Sequence, residues 1–397
     1  MPDLSQLQAP SHQSRRGFLA LSATGVATGA VVPQLHAAAA GSMGREVRLG
    51  LVGCGGRGTG AALQAAAADP AVRIVALADV FADQLEASAH VLARDAASQF
   101  ACPASGRFSG PDAYRRVLDT GVDAVVIAAP PHLRPLHVEA AVAAGAHVFC
   151  ETPAAIDPAG AARVAHALTA ARAAGLAVVS GLHSRRDPSL AALVADMRGG
   201  GIGRLLSVDV YATWRAPWKV AARPGSTAAD ERLRNWVSCD ALSGGWFVER
   251  HVHAIDRGLW ALGDRAPAMA EPLTNRDGDV VAVCYRFDDG AELRASIARV
   301  AAGPDRVCET VVGSRGERDL TLPADGRRFQ ATMEAFLRAV RSADGSADGM
   351  DDGAILVRGS LVAIMGRLAA ASGRVVRWDE MLAATPLPAQ FAMSAKV

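Results

Sequence analysis

The sequence predicts an α/β fold: a parallel, doubly wound sheet in the first part of the chain, then an α+β domain with an open, mainly antiparallel sheet. Three observations carry this. From residue 45 to about 153, short apolar runs of strand length alternate with alanine-rich helical stretches. A glycine cluster sits between the first such run and the first helix. Beyond residue 200, strand-like runs show in-and-out alternation and follow one another across turn residues.

The first strand is read in "EVRLGLVG", where Val47, Leu49 and Leu51 alternate with Arg48 and Gly50. "RLGLVGCGGRGTG" then spaces Gly53, Gly55 and Gly58 as G-x-G-x-x-G, and "GTGAALQAAAADP" continues as a helix that stops before Pro70. A second strand, "VRIVALAD", ends in Asp79, 21 residues beyond Gly58. "VDAVVIAAPP", "HLRPLHVEAAVAAG" and "AHVFCETP" extend the alternation as strand, helix and strand. A strand, glycine loop and helix followed by an acid at this distance is the Rossmann dinucleotide-binding arrangement. Gly53 permits the tight turn, Gly55 lets backbone approach a pyrophosphate, and Gly58 lets helix and strand pack closely; Gly56 and Arg57 complete the loop. Asp79 can accept hydrogen bonds from ribose hydroxyls and would repel a 2′-phosphate. NAD is therefore expected over NADP, with Arg57 as the nearby cation that could soften that preference; separately, the cofactor is expected to be tightly bound.

The nucleotide domain is expected over residues 45–153 and a second domain over 154–397, with its last helices free to pack back on the first. "LLSVDVYATW" alternates buried and polar positions, and "VVAVCYRFDDGAELRASIARV" reads as two strands joined at Asp288-Asp289-Gly290. One face of such a sheet is left for helices or another subunit, so a homo-oligomer through it is expected. "SADGSADGMDDG", residues 342–353, reads as a polar surface loop. From Val248, the residues Val252, Ile255, Leu259 and Leu262 recur at helical spacing and face a core. Glu249, His253 and Asp256 fall on another face at i, i+4 and i+7. That spacing sets the Glu249 carboxylate against the His253 imidazole, where it would fix the tautomer and raise its basicity. An ordinary surface ion pair is the bland alternative. Gly244 and Gly245 let the chain enter this helix close to other backbone. A metal site from Glu249, His251 and His253 is disfavoured because His251 points away from the other two, and no metal is expected.

At "AAPPHLRPLHVEAAVAAGAHVFCETP" the chain resembles the Gfo/Idh/MocA oxidoreductases, whose nucleotide domain has a similar Pro-x-His-x-x-x-x-His segment and a strand finishing in Glu-Lys-Pro. "SGGWFVERHVHAIDRGLWALGD", Ser243 to Asp264, is similar to the family's Gly-Gly…Asp-x-x-x-His-x-x-Asp helix. "AIMGRLAAASGRVVRWDEML" is similar to the C-terminal segment of its secreted members. The resemblance covers nearly all the chain after residue 45. It implies hydride transfer between nicotinamide and a small carbohydrate, with His253 as catalytic base and Glu249 where an aspartate is usual. It also implies that Pro130, His132 and Glu151 stand beside the cofactor. The departure is Glu151-Thr152-Pro153, where threonine replaces the lysine that ordinarily helps move the hydroxyl proton. Thr152 can hydrogen-bond a sugar oxygen but is a poor acid or base near neutral pH. Lys219, in "WRAPWK", is a conceivable replacement, though no spacing demands it. "GLHSRRDPSL", after a strand-like "LAVVSG", then offers His183, Arg185 and Arg186 as substrate contacts, with a solvated loop as the other reading. Asp256 is a further substrate candidate. Trp236, next to Asn235, is either a sugar platform or a core residue. The missing lysine leaves two other functions open: an NAD-dependent glycosidase or lyase acting through a transient ketosugar without net redox, and a non-catalytic NAD- or sugar-binding protein.

The 397 residues are half hydrophobic and a fifth charged, with net charge +1. That is enough chain for two cores, and it gives no electrostatic case for nucleic acid or anionic membrane. Six cysteines, at 54, 102, 150, 239, 284 and 308, are scattered without C-x-x-C spacing, and Cys150 and Cys284 read as buried thiols. Residues 1–40 are expected to lie outside the fold. Arg15 and Arg16 precede a mildly apolar run, Phe18 to Val32, and then small residues, similar to a twin-arginine export signal. A periplasmic or secreted location, with no membrane contact after signal removal, follows. No other segment is expected to approach a spanning length.

Overall fold

The structure is a computed structural model that describes residues 45–383 except 216, 275–278, 322–325 and 343–351, and also 385, 387 and 388. The export segment and most of the 342–353 loop lie outside the described residues.

Six parallel strands make the first sheet: β1 (Val47–Val52), β2 (Val72–Asp79), β3 (Arg107–Ser109), β4 (Ala124–Ile127), β5 (His147–Cys150) and β6 (Val178–Ser180). Their order is β3-β2-β1-β4-β5-β6, so the winding reverses between β1 and β4. A crevice at the carboxyl ends of the strands at such a reversal is where an open α/β sheet takes its ligand. Helices α1 (Gly56–Ala68), α2 (Ala82–Asp95), α3 (Ala113–Asp119), α4 (Arg134–Ala143) and α5 (Pro158–Ala173) make the connections. Leu49, Ile74, Val125, Val126 and Phe149 are wholly buried, as central strands covered on both faces require. In α1 the buried residues Gly58, Ala61, Ala62, Ala65 and Ala66 form one stripe, and their small size lets the helix lie close to the sheet.

The first sheet runs past the boundary expected at 153/154. β6 pairs with β5 from Val178 to Ser180, so the first sheet continues past α5. A three-residue strand carries too little pattern to be assigned to either sheet from sequence.

The second sheet contains β7 (Leu205–Arg215), β8 (Met269–Pro272), β9 (Val280–Arg286), β10 (Glu292–Val300), β11 (Arg306–Gly313), β12 (Gly316–Asp319) and β13 (Val376–Arg377). The order is β12-β11-β7-β10-β9-β8-β13; every pair is antiparallel except β7 with β10. On β10, Leu293, Ala295 and Ile297 are buried while Arg294 is exposed, the alternation of a sheet with one covered face. The remaining helices are α6 (Pro188–Arg198), α7 (Ala228–Arg234), α8 (Asp240–Ser243), α9 (Trp246–Ala261), α10 (Arg327–Arg341), α11 (Asp352–Ser372) and α12 (Trp378–Leu382). Val252, Ile255 and Leu259 of α9 join the core on this sheet.

α11 overturns the expectation about spanning length. It is 21 residues long and holds an 18-residue stretch of mean hydropathy 1.6, long and apolar enough to cross a membrane, yet 78% of that stretch is buried inside the protein. Leu356, Val357 and Leu361 pack into a core of the first sheet, and Val362 to Met365 into that of the second. A helix buried between two cores is apolar over most of its circumference. α10 also lies on the first sheet, with Phe336 edge-on to Phe149 at 5.7 Å between ring centres. Cys150 and Cys284 are free and buried.

Candidate active site

The glycine loop has the shape a dinucleotide needs. Gly53 has φ +97°, and a Cβ there would meet the Ala129 nitrogen at 2.5 Å. A Cβ on Gly58 would collide with the Gly53 carbonyl oxygen, which is the close strand–helix packing expected of that position. Beside Gly55 and Gly56 the space is open. No side chain caps α1 and no acid sits in its first turn, so its N–H groups and positive dipole end face the crevice uncompensated. These residues fit NAD through its pyrophosphate.

At the ribose end, the Asp79 carboxylate accepts hydrogen bonds from the backbone N–H of Cys54 and of Phe81, both at 2.8 Å. Burial raises its pKa, while those two N–H groups oppose the rise. Arg57 is not its neighbouring cation. The Arg57 side chain turns away, donating from Nε to Glu151 Oε1 at 2.7 Å and lying 4.8 Å from the Phe329 ring centre. The cation acting on Asp79 is Arg234 of α7, which donates to Asp83 at 2.7 and 3.1 Å and stacks 3.8 Å over Phe81. Residues 79 and 234 come together only through tertiary packing.

The catalytic candidates meet at the end of β5. Thr152 Oγ1 lies 3.3 Å from His253 Nε2. Gly244 and Gly245, at φ +78° and +82°, turn the chain into α9 and set His253 at that point. Arg134 holds the other wall, donating to the Ala129 carbonyl at 2.8 Å and the Pro153 carbonyl at 2.6 Å. Sequence reasoning missed Arg134, although a cation in the first turn of a helix opposes the dipole and needs another reason to be there. Burial, with the Arg257, Arg250, Arg134 and Arg57 cations, pushes the His253 pKa down to about 4. The imidazole is therefore neutral at neutral pH, with a lone pair to accept a proton.

The expected Glu249–His253 contact is not made. Glu249 Oε2 is buried without a hydrogen-bond partner among the described residues. Burial pushes this carboxyl up to about 7, against the pull of Arg134 and Arg250. An i, i+4 spacing permits the pair, but the side chains follow their separate tertiary surroundings.

Most of the expected substrate contacts are internal. Arg185 is 3% exposed and grips Asp256 at 2.7 Å and Asp264 at 2.6 Å, so neither Arg185 nor Asp256 is offered to a substrate. Arg186 donates to Asp352 at 3.0 Å, and Asp352 also accepts from the Ser180 N–H at 3.1 Å. Thus the end of the presumed surface loop is instead a buried anchor for β6. His183 is buried behind Glu151, with its Nε2 3.9 Å from Glu151 Oε2 and its ring 4.1 Å from that of Phe329. Thr332 donates its hydroxyl to the Arg328 carbonyl at 2.7 Å, which leaves His183 Nδ1 to donate to Thr332 at 3.1 Å. His132 Nδ1 is 3.0 Å from the Leu242 carbonyl, tying the loop after β4 to the entry of α9; in the same loop the Pro130 carbonyl accepts from the Leu133 N–H. Trp236 is half-buried, and Asn235 bonds the backbone of Val220. His251 is fully buried in α9, and no group of three ligating side chains among the described residues could hold a metal.

Residues 47–179 match the family model described as "oxidoreductase family, NAD-binding Rossmann fold", Gfo/Idh/MocA. An inositol 2-dehydrogenase of Acidothermus cellulolyticus is 34% identical over 163 residues, which is 41% of this chain and 43% of that relative, less than half its length. A myo-inositol 2-dehydrogenase of Thermotoga maritima is 23% identical over 77% of this chain and 92% of the relative. In three dimensions, the scyllo-inositol dehydrogenase of Lactobacillus casei, solved with NAD(H) and scyllo-inositol, superposes with a TM-score of 0.63 at 18% identity, over 84% of this chain and 99% of that one. The chain thus has a two-domain fold like that of the solved scyllo-inositol dehydrogenase, and residues 47–179 match the NAD-binding Rossmann domain of the Gfo/Idh/MocA oxidoreductases.

Proposed function

We propose that the protein is an NAD-dependent oxidoreductase acting on a CH–OH group of a sugar or polyol, with His253 as general base. The observation that carries this reading is the approach of His253 Nε2 to Thr152 Oγ1, 3.3 Å apart just beyond the carboxyl end of β5. Relatives named as inositol dehydrogenases support the substrate class. Bound NAD supplies the acceptor for the hydride. His253 Nε2 would take the proton of the substrate hydroxyl, and Thr152 would hydrogen-bond the same oxygen. Glu151, fixed by Arg57, and Pro153, fixed by Arg134, hold this strand end rigid.

The test is to incubate purified protein with inositols, free sugars and glycosides while following NADH and any released aglycone. Net NADH with intact linkages supports the reading. Aglycone without net NADH would point to a glycosidase or lyase, and neither product to a binding protein.

Export rests on Arg15 and Arg16 ahead of the Phe18–Val32 run. Arg15→Lys with Arg16→Lys should leave unprocessed protein in the cytoplasm, and normal export of that variant would sink the proposal.

A further inference from the structure

A cavity of about 270 Å³ lies against the first turn of α9 and the ends of β7 and β10. Four cations line it, Arg215, Lys219, Arg250 and Arg299, against one carboxylate, Asp240. Arg215 leans toward Asp305 at 3.6 Å. Lys219, Arg250 and Arg299 make no ion pair among the described residues. Instead the two guanidinium groups stack on the cavity's tryptophans, Arg250 over Trp214 at 5.3 Å and Arg299 over Trp246 at 5.2 Å. Stacking holds a guanidinium flat and leaves its edge N–H groups free for a ligand. The Trp214 Nε1–H is a buried donor without an acceptor among the described residues.

The cavity is also tied to the proposed active site. Trp246, Arg250, His253 and Arg257 stand at i, i+4, i+7 and i+11 of α9 and share one stripe of that helix. Arg250 is therefore one turn from His253 on the same face. The loop carrying Lys219 is fixed next to it, because Asn235 accepts from the Val220 N–H at 2.7 Å and donates to its carbonyl at 3.1 Å. Uncompensated like charges on a shaped wall raise the local concentration of an opposite charge, and a neutral polyol has none to offer.

We infer that this cavity receives the oxyanion of an acidic sugar, so that the substrate is a sugar ring bearing a carboxylate or a sulfate or phosphate ester, with its reacting hydroxyl at His253. This rests on the oxidoreductase reading and names the class of substrate within it. Arginine pairs carboxylate, sulfate and phosphate oxygens with the same planar fork, so the chemistry is shared.

The experiment compares galacturonate and glucuronate, galactose 6-sulfate and glucose 6-phosphate, and neutral galactose, glucose and myo-inositol as reductants of NAD on the full protein. At least one acidic group should exceed the neutral sugars in kcat/KM, and the arms show which anion is taken. In Arg250→Gln the acid-to-neutral ratio of kcat/KM should fall about tenfold or more, since a charge-assisted hydrogen bond is lost. Lys219→Gln, on an exposed loop, provides a second reading should Arg250→Gln misfold. Added salt should lower the same ratio. A preference for neutral sugars, or a ratio that neither variant moves, overturns the inference and leaves the oxidoreductase reading standing. Should no sugar reduce NAD, calorimetric titration with each acid separates the two claims. Binding lost in both variants would keep the anion site while the oxidoreductase reading falls; no binding would overturn the site as well.

Discussion

Thr152 Oγ1 and His253 Nε2 stand 3.3 Å apart across the junction of the two sheets, one at the end of β5 and the other on α9. With Nδ1 protonated, the Thr152 hydroxyl donates to the same lone pair that would take a proton from substrate. On the proposed reading the imidazole would exchange the proton and the hydroxyl would orient it.

His253→Ala should therefore keep NAD binding and lose hydride transfer by ~10²–10⁴-fold or more, the usual contribution of a general base. Thr152→Ala should cost much less, the loss of one hydrogen bond. Stopped-flow measurement of bound NAD reduction decides. If Thr152→Ala abolishes reduction and His253→Ala barely alters it, the assignment of the proton acceptor is wrong.

Glu249 should give the protein a pH-dependent stability. Its folded pKa is about 7, above the ordinary 4.5, because burial disfavours the charge. The folded state therefore binds this proton more tightly than the unfolded state does. That contribution is fully present below about 4.5 and is lost as pH rises through 7. Glu249→Gln cannot ionise and should be more stable than the parent at pH 8, by ~3 kcal/mol at most, and equal to it near pH 4.5. Urea denaturation of the cofactor-free proteins at both pH values measures this. A constant difference at the two pH values would show that Glu249 does not titrate as described.

Nucleotide preference should follow Asp79. The nearby Arg234 is already bound to Asp83, so a 2′-phosphate would meet a carboxylate without a free counter-cation. NAD should bind about tenfold or more tightly than NADP, a difference of ~1.4 kcal/mol or more, and Asp79→Ala should narrow the gap. Equal affinities in the parent protein would mean that Asp79 does not face the ribose.

Asp256 should matter for folding before it matters for substrate. Removing it leaves Arg185 buried with half its partners, and breaking such a pair costs about 3–5 kcal/mol. Asp256→Ala should accordingly lower the urea midpoint sharply, and Arg185→Met in the same chain should recover part of the loss. Unchanged stability with a raised KM would return Asp256 to the substrate-binding residues.

The first domain was legible because its signals are local. Strand period, the G-x-G-x-x-G turn and the acid ending β2 each depend on neighbours within a few residues, and the backbone at Gly53 and Gly58 leaves no room for a side chain. The face of α9 that packs on the second sheet was legible for the same reason: 3.6 residues per turn orders Val252, Ile255 and Leu259 without reference to anything else. What the helix period could not determine is which residue each polar group meets. His253 faces Thr152, 101 positions away, and Arg185 is bound to Asp256 across 71. Arg57 turned from Asp79 to Glu151 because packing brought a buried carboxylate within reach. α11 is largely apolar because two cores enclose most of it, a property that composition alone shares with a membrane span. Local periodicity set the elements and their buried faces; long-range packing chose the partners, because the energy of a buried charge depends on what surrounds it in space.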